Sequence, residues 1–277
     1  MTPRCAVTAR ERGDQLFGTA APGERWLLVE HPGPWPRRAF EASPELTRVA
    51  ERAVASGFRA VLIRRPGRSP AREMRSYAVV DARPGREGIS WGTFGSEAEL
   101  LDVPLELGPS VSDEPVHLVC AHGRHDTCCA VEGRPVAAAL ADAYPGRTWE
   151  CSHVGGDRFS ANLVLLPHGL YYGMLDPGTA LEVAAAYRTG RLVPSLLRGR
   201  SVFAPAVQAA QHYARLESGD DRVDAFAPLG VETVEPGTVR VRLVGATVTV
   251  RVSWSEPAVL TCAAGRPEVA RVFTRVQ

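Results

Sequence analysis

The stretch from Val116 to Gly190 constrains the fold more than any other, because β-type runs and helical patterns alternate along it in a fixed order. "VHLVC" (116–120) reads as a buried strand, and "RPVAAALADAYPG" as a helix with Pro135 near its start and Pro145-Gly146 as its stop. "TWECS" is the next strand, followed by the turn "HVGGD"; "ANLVLLP" and "LYYGML" then flank "HG" as a hairpin. In "DPGTALEVAAAYRTG", Asp176 caps a helix, Pro177 opens it, Ala180, Val183, Ala184 and Tyr187 share a face, and Gly190 ends it. The order β-α-β-β-β-α predicts a thioredoxin-like domain over residues 111–200.

With 277 residues the chain has room for more than this unit. Residues 20–110 predict a preceding α/β unit. "WLLVE" is a strand, and Ser43-Pro44 starts a helix with Leu46, Val49, Ala50, Ala53 and Val54 on one face. "FRAVLIRR", "SYAVVDA" and "GISWGTF" are further strands, with "SPAREM" and "RPGREG" as turns. Residues 201–277 predict an extension of one helix, "PAVQAAQHYARLE", and a β-hairpin around Gly245-Ala246; residues 1–19 read as a tail. The sequence has no internal repeat of fixed period.

A net charge of +1 supplies no electrostatic reason for a nucleic-acid or membrane partner. No apolar run reaches the roughly 20 residues a bilayer requires. The first residues are interrupted by charges where a signal peptide needs an apolar segment, so a cytoplasmic protein is expected. All 32 basic residues are arginine, which excludes Schiff-base lysine chemistry and a Walker P-loop. The clusters "PRR", "IRRPGR" and "RGRS" are expected on the solvated surface. "GISWG" matches the GxSxG nucleophile elbow, but Ser90 lies within a predicted strand and lacks the helix that must follow it.

The chemistry gathers in "CAHGRHDTCC" (120–129). Cys120 ends its strand, and Asp126 or Thr127 can cap the next helix, which puts Cys128 and Cys129 in a first turn whose dipole favours thiolates. "CSHVGGD" brings Cys151, His153 and Asp157 from the neighbouring strand to the same sheet edge. Three readings fit these residue types. Zinc accepts Cys and His, although its structural sites favour CxxC knuckles. A thiol-disulfide protein also favours CxxC, where this chain has adjacent cysteines. A 2Fe-2S cluster tolerates wide spacing and mixed Cys/His ligation.

"CAHGRHDTCCAVEGRPVA", "WECSHVGGDRF" and "LVLLPHGLYYG", together with "LFGTAAPGERWLLVEHPGPW", resemble the sucrase/ferredoxin-like family of thioredoxin-fold 2Fe-2S proteins, in order over roughly residues 15 to 175. The resemblance implies cluster ligation by two cysteines with eight residues between them and two histidines with three between them. Cys120 and Cys129 match the first pair and His153 the first histidine, whereas position 157 holds Asp. The fourth ligand is then open among Asp157, Cys128 and Cys151. Each of the three adds a negative charge relative to a bis-histidine centre and lowers the expected reduction potential. The implied function is one-electron transfer to a redox protein partner rather than catalysis on a substrate of its own. His122 and His125 read as supporting loop residues, and Gly155-Gly156 as a turn that lets backbone amides approach the site.

Overall fold

The computed structural model describes residues 4–67, 73–264 and 266–276. Its centre is a nine-stranded mixed sheet, accompanied by a separate four-stranded sheet and five α-helices. The first part of the large sheet comprises β1 (Arg25–Glu30), β2 (Phe58–Arg64), β3 (Arg75–Asp81) and β4 (Gly88–Phe94). The second comprises β5 (Val116–Cys120), β6 (Thr148–Cys151), β7 (Leu163–Leu166), β8 (Leu170–Tyr172) and β9 (Leu197–Arg200). Most of the "SPAREM" turn lies outside the described residues.

The strand order is β4-β3-β1-β2-β6-β5-β7-β8-β9. β1 pairs parallel to β2, antiparallel to β3, and β3 antiparallel to β4. The second part repeats that plan, with β5 parallel to β6, antiparallel to β7, and β7 antiparallel to β8. The crossovers correspond as well: α2 (Pro44–Ala55) joins β1 to β2, and α3 (Thr127–Ala143) joins β5 to β6. Two units of one topology thus meet edge to edge, through the antiparallel pairs Ile63 with Cys151 and Arg64 with Glu150. The repetition lies in topology and not in sequence.

Alternation along the strands explains the layers. Trp26 and Leu28 of β1 and Leu118 and Cys120 of β5 belong to one core shared by both units. Leu27 and Val29 pack with α2, whose buried residues are Leu46, Val49 and Ala53; Val54, expected on that face, is exposed. Val119, Leu163 and Leu165 pack instead with Val136, Ala137 and Leu140 of α3 and with Ala180 and Val183 of α4 (Pro177–Arg188). Both faces of the central strands are covered, as their continuous apolar character requires.

The sequence expectation needs correction in four places. α3 begins at Thr127, as the Asp126 cap implies, so Pro135 sits inside the helix and not near its start. The extension is larger than a helix and a hairpin. α5 (Pro205–Ser218) packs on a four-stranded antiparallel sheet of β10 (Pro228–Glu235), β11 (Thr238–Leu243), β12 (Ala246–Trp254) and β13 (Arg271–Val276). The outer strands were hidden because β10 is mostly exposed and carries little apolar alternation. The N-terminal tail contains α1 (Cys5–Arg12). Of the arginines expected on the surface, Arg198 and Arg200 are buried, because carbonyls and Glu87 accept hydrogen bonds from their guanidinium groups. No described helix is long and apolar enough to cross a membrane.

Candidate metal centre

The carboxyl ends of β5 and β6 lie side by side, with Cys120 in register with Cys151. After Cys120 the chain turns back into α3, where Asp126 is the N-cap and its carboxylate accepts the Cys128 N–H at 2.8 Å. Gly133, two turns along, is what permits the close approach: a β-carbon there would stand 2.1 Å from the Cys120 carbonyl oxygen. The first turn of α3 is therefore held against the strand end, and Cys129 meets Cys120.

Ligand atoms of Cys120, Cys129 and His153 lie within 4.8 Å of one another, as do those of His125, His153 and Asp157. His153 belongs to both groups, so five side chains line one pocket. The Cys129 thiol donates to Asp157 Oδ1 at 3.3 Å, and the Ser160 hydroxyl donates to Cys129 Sγ at 3.7 Å. The His125 ring stacks on that of His153 with centroids 3.6 Å apart, and its Nε2 is 3.7 Å from Asp157 Oδ2. The cysteines and Asp157 are buried; the side chains of His153 and His125 are 25% and 29% exposed and form the outer edge.

Charge in the pocket is tightly shared. Contact with the Cys129 thiol, with further help from His153, holds the Cys120 thiol well below its ordinary range, and the same contact raises Cys129. Burial alone would lower the His153 imidazole, but the adjacent Asp157 carboxylate and Cys120 sulfur outweigh it and raise it to about 9. Burial likewise works against ionised Asp157, yet His153 and His125 keep it below its usual value. His153 Nδ1 lies 3.0 Å from Asp157 Oδ1 but off the hydrogen-bond line, so this buried nitrogen has no hydrogen-bond partner. An imidazole with such a nitrogen, grouped with two sulfurs and a carboxylate, fits a site built to hold a metal.

Neighbouring groups fix the ligand loops. His122 Nε2 is 2.7 Å from the Pro36 carbonyl and therefore carries the proton, which leaves Nδ1 to accept the His153 N–H at 3.3 Å. Trp35 meets the same ring edge-on. The β1–α2 loop of the first unit thus braces the β5–α3 loop of the second. Across the pocket, buried Arg198 donates to the Gly155 carbonyl, Asn162 Oδ1 and the Thr19 carbonyl, and Asn162 donates to the Gly156 carbonyl. Gly155 and Gly156 both have positive φ, a conformation that admits this sharp turn.

The cysteines named from sequence divide among three environments. Cys120 and Cys129 face the pocket; Cys151 lies in the shared core, outside both ligand groups, where burial raises its thiol. Cys128 points away from Cys129 and meets Cys5 and Cys262. His125 is the pocket residue that sequence reasoning placed only in a supporting role. Its spacing from His153 carries no local signal, and only the stacking of two loops reveals it.

These features define a mixed α/β protein with a buried Cys/His/Asp centre at a sheet edge. The chain belongs to the sucrase/ferredoxin-like family, whose model matches residues 16–199. Neither the comparison with curated proteins nor that with solved structures finds a match.

Proposed function

We propose that this protein is a one-electron carrier whose second unit is thioredoxin-like and holds a 2Fe-2S cluster at the β5–α3 and β6–β7 loops. The thioredoxin-like reading is supported by the order β6-β5-β7-β8 with α3 and α4 packed on one face. Cys120 and Cys129 would hold one iron and His153 the other, with Asp157 or His125 completing the second pair. When bound, the cluster supplies reversible one-electron transfer.

The chain's own residues do the rest. Ser160 donates to Cys129 sulfur, and the buried position of both cysteines keeps water from the thiolates. His153 and His125 form the exposed edge, which is where a redox protein partner would approach. The single observation that carries this reading is the convergence of Cys120, Cys129 and His153 from two loops. It also disfavours a disulfide enzyme built on Cys128, Cys129 and Cys151, since those three thiols occupy separate environments.

The test is iron and acid-labile sulfide content of anaerobically purified protein. Cys120→Ser, Cys129→Ser and His153→Ala should each lose iron. Asp157→Ala and His125→Ala, compared with each other, identify the fourth ligand as the one whose loss removes the cluster. Equal iron in wild type and all three of the first variants would refute the assignment.

A further inference from the structure

Three cysteines that play no part in the pocket meet on the opposite side of the first turn of α3. Cys5 Sγ lies 3.6 Å from Cys128 Sγ, Cys128 Sγ 3.4 Å from Cys262 Sγ, and Cys262 Sγ 3.5 Å from Cys5 Sγ. Asp126 completes the group, its oxygens 3.8 and 3.9 Å from Cys5 Sγ. All four side chains offer ligand atoms within 4.8 Å of one another. They come from an N-terminal helix, a loop-helix junction and a C-terminal segment, separated by up to 257 residues.

We propose that Cys5, Cys128, Cys262 and Asp126 form a tetrahedral site for a structural zinc ion. A centre with zinc–sulfur bonds of about 2.3 Å sets its sulfurs about 3.8 Å apart, close to the spacing here. Zinc binding displaces the thiol protons to solvent, leaving three thiolates and one carboxylate around a divalent cation.

The surroundings suit that charge. Cys5 is the first residue of α1 and Cys128 the second of α3, so two helix N-termini point at the site. The Cys5 N–H donates to Cys262 Sγ, and Asp126 accepts the N–H groups of Cys128 and Cys262 at 2.8 and 2.6 Å. Asp126 is buried yet pairs with no basic side chain among the described residues, a costly position that a cation relieves. Apolar packing immediately around the four ligands is confined to Cys5, Ala6 and Cys128, and a metal would tie the three segments that meet there.

This site is independent of the cluster reading, and zinc and iron measured on one sample separate the two. Full-length protein stripped of metal and titrated with Zn2+ alone should bind one equivalent at this site, and Cys120→Ser should retain it. Cys262→Ser, at an exposed position, should weaken zinc binding at least about 100-fold with unchanged far-UV circular dichroism. Should that variant misfold, Co2+ added to the Cys120→Ser protein serves instead, and must develop the visible bands of tetrahedral thiolate ligation. Zinc retained by Cys262→Ser, no zinc bound by Cys120→Ser, absent cobalt bands, or a disulfide among these cysteines in anaerobic protein would each overturn the proposal.

Discussion

Gly133 packs so closely on Cys120 that a β-carbon added to it would stand 2.1 Å from the Cys120 carbonyl oxygen. The neighbour is backbone at a strand end, which cannot rotate away, so a side chain at 133 must push α3 off β5. Gly133→Ala should cost about 2 kcal/mol or more of stability and reduce iron content, because Cys129 moves with the helix. Urea unfolding and iron analysis check this; a variant with wild-type stability and full iron would show that the contact does not position the site.

Asp157 stands where the resemblance calls for a second histidine, and its carboxylate contributes negative charge to the pocket. Asp157→His should raise the reduction potential by on the order of 100 mV, a scale set by the gap between all-thiolate and bis-imidazole centres. A redox titration of the two proteins decides, and an unchanged or lower potential contradicts the charge argument.

The halves of the site were unequally legible in sequence. Cys120 at the strand end and Asp126 at the helix start announce themselves locally, since apolar runs and capping residues act within a few positions. His125 does not, because its contact with His153 arises from the packing of two loops. Cys5 and Cys262 stand 257 positions apart, and nothing in the sequence between them says they meet. The shared element order of the two units was legible, whereas the strand pairing that repeats between them was not, because the side chains that achieve it do not repeat. Arg198 shows the limit of composition, since an arginine in a cluster reads as wet unless the carbonyls that receive it are known.

Arg198 holds the 153–157 turn from behind. Arg198→Met would leave the Thr19 and Gly155 carbonyls and Asn162 Oδ1 without their donor. The expected loss is about 3 kcal/mol, the scale for removing charged hydrogen bonds and stranding buried acceptors. Thermal unfolding measures it; a shift within error would mean that water replaces the guanidinium.

His117 in β5 is buried, with Nδ1 3.3 Å from Thr148 Oγ1 and Nε2 lacking a partner. Burial, aided by the charge of Arg188, lowers its pKa to about 4. Between pH 6.5 and about 4 the unfolded chain therefore binds a proton that the folded chain does not. Stability should fall as pH drops through that window, by at most about 3 kcal/mol from this residue. His212, also lowered to about 4 by burial, adds in the same sense. His117→Gln should show a shallower decline in urea unfolding across the window, and parallel curves would exclude the histidine as a cause.

The most direct measurement is spectroscopic. Protein purified without oxygen should be coloured, with charge-transfer absorption in the visible, and should give an electron paramagnetic resonance signal of a mixed-valence diiron centre on one-electron reduction. That signal should vanish in Cys120→Ser and Cys129→Ser. A colourless, iron-free and resonance-silent wild-type protein, prepared under the same conditions with iron supplied, would contradict the electron-carrier account.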